Sequence, residues 1–147
     1  MQTIETSGQT YSDERGELII QRPALGVLVF IERGYLAGGR AELIIKAMDN
    51  EVKFCPKITI FVDGEKLDGY DPPMRTMPTD WLKKNSARVV AQHMLVKSQI
   101  ARMGLSVAGL ALGAVIKGYV DRRSFEDALR RSIADAPSRA STSPPRS

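Results

Sequence analysis

The chain holds one cysteine, Cys55, and one histidine, His93, among its 147 residues. A lone cysteine excludes an intrachain disulfide, and one cysteine with one histidine leaves too few ligands for a protein-only zinc site. Gly-Lys-Ser/Thr phosphate loops, Gly-x-Gly-x-x-Gly dinucleotide turns and Gly-x-Ser-x-Gly elbows are absent, and a single histidine gives no defensible Ser/His/Asp set. Aromatic residues make up 6% and are not interleaved with basic ones as in single-strand nucleic-acid sites. These absences predict a protein that is not an enzyme and has neither cofactor nor metal. The first seventeen residues contain no apolar run, so no cleavable signal peptide is expected.

One long apolar run is present, residues 103–120, MGLSVAGLALGAVIKGYV, with Lys117 its only charge and glycines at 104, 109, 113 and 118. As a helix at ~1.5 Å per residue it would be about 27 Å long, just short of a ~30 Å hydrocarbon core. Small residues four apart, at Gly104/Ala108, Gly109/Gly113 and Ala114/Gly118, predict a helix-contact face carried by Gly104, Ala108, Gly109 and Gly113. Lys117, Tyr119, Arg122 and Arg123 stand where a membrane span would place its interfacial residues. The uncharged part, 103–116, has instead the length of a helix buried in protein. The run therefore reads first as a single transmembrane span, and otherwise as a helix buried against a partner chain or within the core.

Net charge is +4, unevenly divided. Residues 1–80 hold nine Lys/Arg against thirteen Asp/Glu, net −4, and residues 81–147 hold twelve against four, net +8. The basic half suits anionic lipid, an acidic partner or, as the weakest of the three, nucleic acid. Basic residues on the N-terminal side of the run, Lys83, Lys84 and Arg88 among them, predict a cytoplasmic N-terminal domain.

The segments 17–21, 26–33, 41–48 and 57–70 read as strands, with GYLAGG between the second and third supplying the turn of a hairpin. Pro23 suggests an edge for the first. Asp63-Gly64, after the alternating KITIFV, predicts a tight hairpin turn. ITIFVDGEKLDG, 58–69, resembles the strand and Val-Asp-Gly turn of small β modules in bacterial envelope proteins; no family follows from it. Around that turn Asp63, Glu65, Asp68 and Asp71 lack the spacing of a calcium loop and read as a solvated cluster. Pro72, Pro73 and Pro78 mark a boundary. Beyond it Leu82, Val89, Val96, Ile100, Met103, Val107 and Leu110 recur at helical spacing, after a start capped by Thr79 or Asp80. His93 lies on that stripe as a packed histidine, and Cys55 as a buried thiol. Ser124 to Asp127 matches a capping box, and Phe125, Leu129 and Ile133 follow on one face.

The expected fold is α+β. A flexible N-terminus, 1–16, precedes a small antiparallel β domain, 17–78. A helical region, 79–136, then comprises a long helix to about 102, the glycine-rich apolar helix 103–120 and a short basic amphipathic helix 124–136. A disordered tail, 137–147, ends the chain. The expected function is non-enzymatic membrane association, with self-association through the glycine-rich helix and partner recognition by the β domain. The alternative is an oligomeric assembly subunit, of phage or secretion type, cytoplasmic, whose apolar helix is buried against a partner chain.

Overall fold

The structure, a computed structural model, describes residues 8–136. Residues 1–7 of the expected flexible N-terminus, 1–16, and the whole C-terminal tail, 137–147, lie outside the described residues, whereas residues 8–12 are in a strand. One six-stranded mixed sheet organises the rest, with strands β1 (Gly8–Ser12), β2 (Gly16–Ala24), β3 (Val27–Leu36), β4 (Ile58–Tyr70), β5 (Val89–Leu95) and β6 (Ile116–Tyr119) side by side in sequence order. The first three form an antiparallel meander; β4, β5 and β6 then add parallel to β3. Helices α1 (Arg40–Phe54), α2 (Pro73–Asn85) and α3 (Gln99–Leu112) make the three crossovers, and α4 (Arg122–Asp135) follows β6.

This replaces the expected antiparallel sheet with trailing helices by an α/β architecture, in which strands and helices alternate across the expected domain boundary. Crossovers of one hand that always step in the same direction put their helices on the same face of the sheet. Accordingly α1 and α2 bury Ile44, Met48, Met74, Trp81 and Leu82 against Leu18, Leu28, Phe30, Ile58 and Ile60, while α4 buries Phe125 and Leu129 against Val27, Val29, Phe61 and Leu95 on the other face.

Four expectations fail for local reasons. Residues 41–48 lie in α1, not in a strand, because Ala41, Ile44, Met48 and Glu51 bury one helical face. Asp63-Gly64 is no turn: β4 runs straight through it, neither residue has positive φ, and a register shift opposite Ile31 and Arg33 absorbs the irregularity. Residues 89–95 form β5, where Val89, Ala91, His93 and Leu95 alternate inward. Pro72 and Pro73 open a helix instead of preceding one, standing at the start of α2 where a missing N–H costs nothing, and Pro78 lies within that helix. The strand 17–21 is real as part of β2, but β1 covers it and takes the edge. The amphipathic helix is real as well, two residues earlier at its start, capped by Asp121, whose carboxylate accepts from the Ser124 N–H at 3.0 Å.

Candidate functional site

The apolar run resolves into three pieces. Ser98 caps α3, accepting from the Ala101 N–H at 3.1 Å. Gly113 ends it in the left-handed conformation, φ 65°, and the Ala114 N–H returns to the Gly109 carbonyl at 3.0 Å in a Schellman-type stop. The chain then enters β6. At 14 residues α3 is about 21 Å long by the ~1.5 Å rise, and among the described residues no helix is long and apolar enough to cross a membrane. The expected transmembrane span is thereby corrected: the left-handed glycine cuts the run short and the remainder pairs with β5.

The four glycine-face residues are not gathered on one surface. Gly104 is exposed with open space around it, whereas Ala108 turns toward the sheet. Gly109 is buried against the α3–β6 turn, where a Cβ would stand 2.9 Å from the Ala114 carbonyl oxygen, and Gly113 is the stop itself. Gly118 lies under α3, against Arg102 and Leu105, so glycines on both elements allow helix and strand to approach closely. The four interfacial candidates are equally dispersed. Lys117 and Arg123 are exposed. Tyr119 stacks with His93, and Arg122 heads α4 in ion pairs with Asp63 (2.9 Å), Glu65 (2.7 Å) and Glu126 (3.1 Å). Burial works against the Arg122 charge, but its hydrogen bonds to Glu65, Asp63 and Glu126 prevail and hold its pKa above the usual arginine value.

What α3 does present outward is an uncharged row. Ile100 is 83% exposed, Met103 61%, Val107 67% and Leu110 85%, with Ala101, Gly104 and Ala111 exposed between them. Large apolar side chains are thus left in water along one face of α3.

Beneath α3 lies a hollow of about 440 Å³. α2 leans on α1 and α3 on β6, so the gap between α2 and α3 is left unfilled. Phe30, Ile60 and Val62 line it from the sheet, Met74 and Leu82 from α2, and Leu105 from α3. One carboxylate, Glu32, lines both this hollow and a polar cleft beside Asp63 and Arg122. Desolvation, and then the neighbouring Asp63 charge, push its pKa up to about 7. Sequence reasoning missed Glu32, although the signal was present: it is the next inward position of the alternating series Leu28, Phe30, Glu32.

The residues with conventional chemistry are engaged in structure. His93 is buried on the α4 face, its ring stacked 4.3 Å from Phe61 and its Nδ1 2.7 Å from the Tyr119 hydroxyl. Cys55 is half-buried with Sγ 3.1 Å from the Lys57 carbonyl. Asp71 accepts from the Tyr35 hydroxyl and the Gly38 N–H, and Asp68 pairs with Lys97. Among the described residues no three His, Cys, Asp or Glu gather as a metal site.

No protein-family model and no curated protein matches the chain. Among solved structures it is similar to an uncharacterized DUF3478-family protein with a SpoIIAA-like fold from Shewanella loihica PV-4, at TM-score 0.59 and 15% identity, over 88% of this chain and 98% of that one. The likeness shows the fold, a SpoIIAA-like α/β sheet.

Proposed function

We propose that the chain is a non-enzymatic assembly module that joins a second copy of itself through the outer face of α3. The supporting observation is the exposed row on that helix and its internal pattern. Two α3 helices packed antiparallel about an axis between residues 105 and 106 set Ile100 opposite Ala111, Val107 opposite Gly104 and Leu110 opposite Ala101. Three of the four large side chains of the row then meet a small one, and each contact recurs reciprocally as a two-fold axis demands, with Met103 at the margin. The row carries no charge of either sign, so nothing in it selects an acidic or a basic partner. This is the expected alternative of an apolar helix covered by a partner chain, and it goes with the cytoplasmic placement rather than the membrane one.

A single helix face makes a small interface, so the expected affinity is modest. Sedimentation velocity across micromolar to sub-millimolar concentration should show a reversible monomer–dimer equilibrium, and Ile100→Lys with Leu110→Lys should abolish it without loss of the folded circular dichroism spectrum. A wild-type chain that stays monomeric throughout, or a double variant that still dimerises, overturns the reading.

A further inference from the structure

We propose that the hollow between the sheet and α3 binds an elongated apolar molecule ending in an amine, with the ammonium group seated on Glu32. The inner face of α3 bounds this site and the outer face is the dimer row, so the two proposals stand apart. At about 440 Å³ the hollow falls within the ~300–1,000 Å³ range of small-molecule sites. Its walls are mainly apolar, aliphatic and thioether side chains with Phe30, broken by Arg75, Thr79 and Gln92, which asks for an apolar body.

Glu32 sets the chemistry of the ligand's end. It occupies an inward-facing strand position, half-buried, and receives no hydrogen bond from any described residue. A carboxylate partly withdrawn from water, as Glu32 is, gains from a paired cation or a donor. The groups around it do not supply that partner. Asp63 repels it, and of the three cations lining the adjoining cleft Arg122 is held by Asp63, Glu65 and Glu126, Arg33 pairs with Glu17, and Lys66 makes no ion pair with Glu32. A protonated amine arriving through the hollow gives Glu32 both a donor and a countercharge, and its alkyl part covers the apolar walls. Arg75 also lines the hollow, from the exposed side of α2; it is the feature that would instead favour an acid.

Calorimetric titration at pH 8 with octylamine, 1-octanol and octanoate separates these chemistries on one chain length. Octylamine is expected to bind at least tenfold more tightly than octanol, and octanoate more weakly than either. Glu32→Gln should bring octylamine level with octanol and leave octanol unchanged. Leu105→Trp, which fills the hollow from the inner face of α3, should abolish all three titrations while the circular dichroism spectrum is retained. Ile100→Lys with Leu110→Lys should leave octylamine affinity unchanged, whatever it does to dimerisation. Octanoate binding as tightly as octylamine, octylamine affinity indifferent to Glu32→Gln, or no binding of any of the three overturns the proposal.

Discussion

Gly104 and Gly109 stand five residues apart on one helix and meet opposite surroundings. A Cβ on Gly104 would touch nothing within 4 Å, whereas one on Gly109 would press on the Ala114 carbonyl oxygen at 2.9 Å and on Ile116 at 3.3 Å. The backbone at Ala114 cannot yield without shifting the start of β6. Gly104→Ala is therefore expected to stabilise the monomer by about 0.5–1 kcal/mol, the helix-propensity gain. Gly109→Ala should destabilise it by about 1–3 kcal/mol, as other overpacked sites do. Urea unfolding of both variants, at a concentration where the chain is monomeric, reads the difference; midpoints that move in the same direction would contradict the assignment. Spacing alone groups these glycines because residues four apart share a helix face. It carries no information about the left-handed stop at Gly113, which ends that face before the pattern is complete.

At the scale of elements, α4 shows what ties a terminal helix to a sheet. Its inward row Phe125, Ala128 and Leu129 is buried, and Arg122 at its first turn reaches across to Asp63 and Glu65 on β4. Replacing Arg122 by Met leaves three carboxylates without their shared cation. The side chain is 39% exposed, so solvent screening limits the cost, expected at about 1–2 kcal/mol. Because the damage is mutual repulsion, added salt should shrink it. Thermal unfolding of Arg122→Met at low and high ionic strength checks this, and a deficit independent of salt would mean lost packing instead. The row on α4 was legible because Phe125, Leu129 and Ile133 hold one period with polar residues between. α1 was not, because Ile44-Ile45 reads as strand and the buried position that completes the helical face is a charge, Glu51, bonded to Arg22 and to the Gly26 N–H. In β5 the inward positions include Ala91 and His93, too weakly apolar to outweigh the seven-residue spacing of Leu82, Val89 and Val96. Glu32 escaped for a related reason: an inward carboxylate is recognised only once the face of its strand is known.

At the scale of the whole molecule, the parallel order of β3 to β6 rests on pairings between strands separated by entire helices, which no local period encodes. The same sheet separates two groups that titrate in opposite senses, the half-buried Glu32 on the α1–α3 face and the buried His93 on the α4 face. Desolvation, with Lys117 and Arg131 nearby, holds the His93 pKa down at about 4 against 6.5. Its contribution to stability is intact above 6.5 and is lost as pH falls toward 4, since the unfolded chain takes up the proton first. Glu32 has its pKa raised from 4.5 to about 7. It keeps its proton in the folded state while the unfolded chain has released it, so stability falls as pH rises from 4.5 to 7 and is level above. Each contribution is on the order of 1–3 kcal/mol, and between about 4.5 and 6.5 their slopes oppose. Glu32→Gln should expose a melting temperature that rises with pH relative to wild type over that interval. His93→Phe, which keeps the stack on Phe61, should expose one that falls. With a sheet between them the effects should add in the double variant. Thermal scans of the four proteins from pH 4 to 8 measure the slopes, and a Glu32→Gln profile parallel to wild type would show that the carboxyl of Glu32 is not held protonated in the fold.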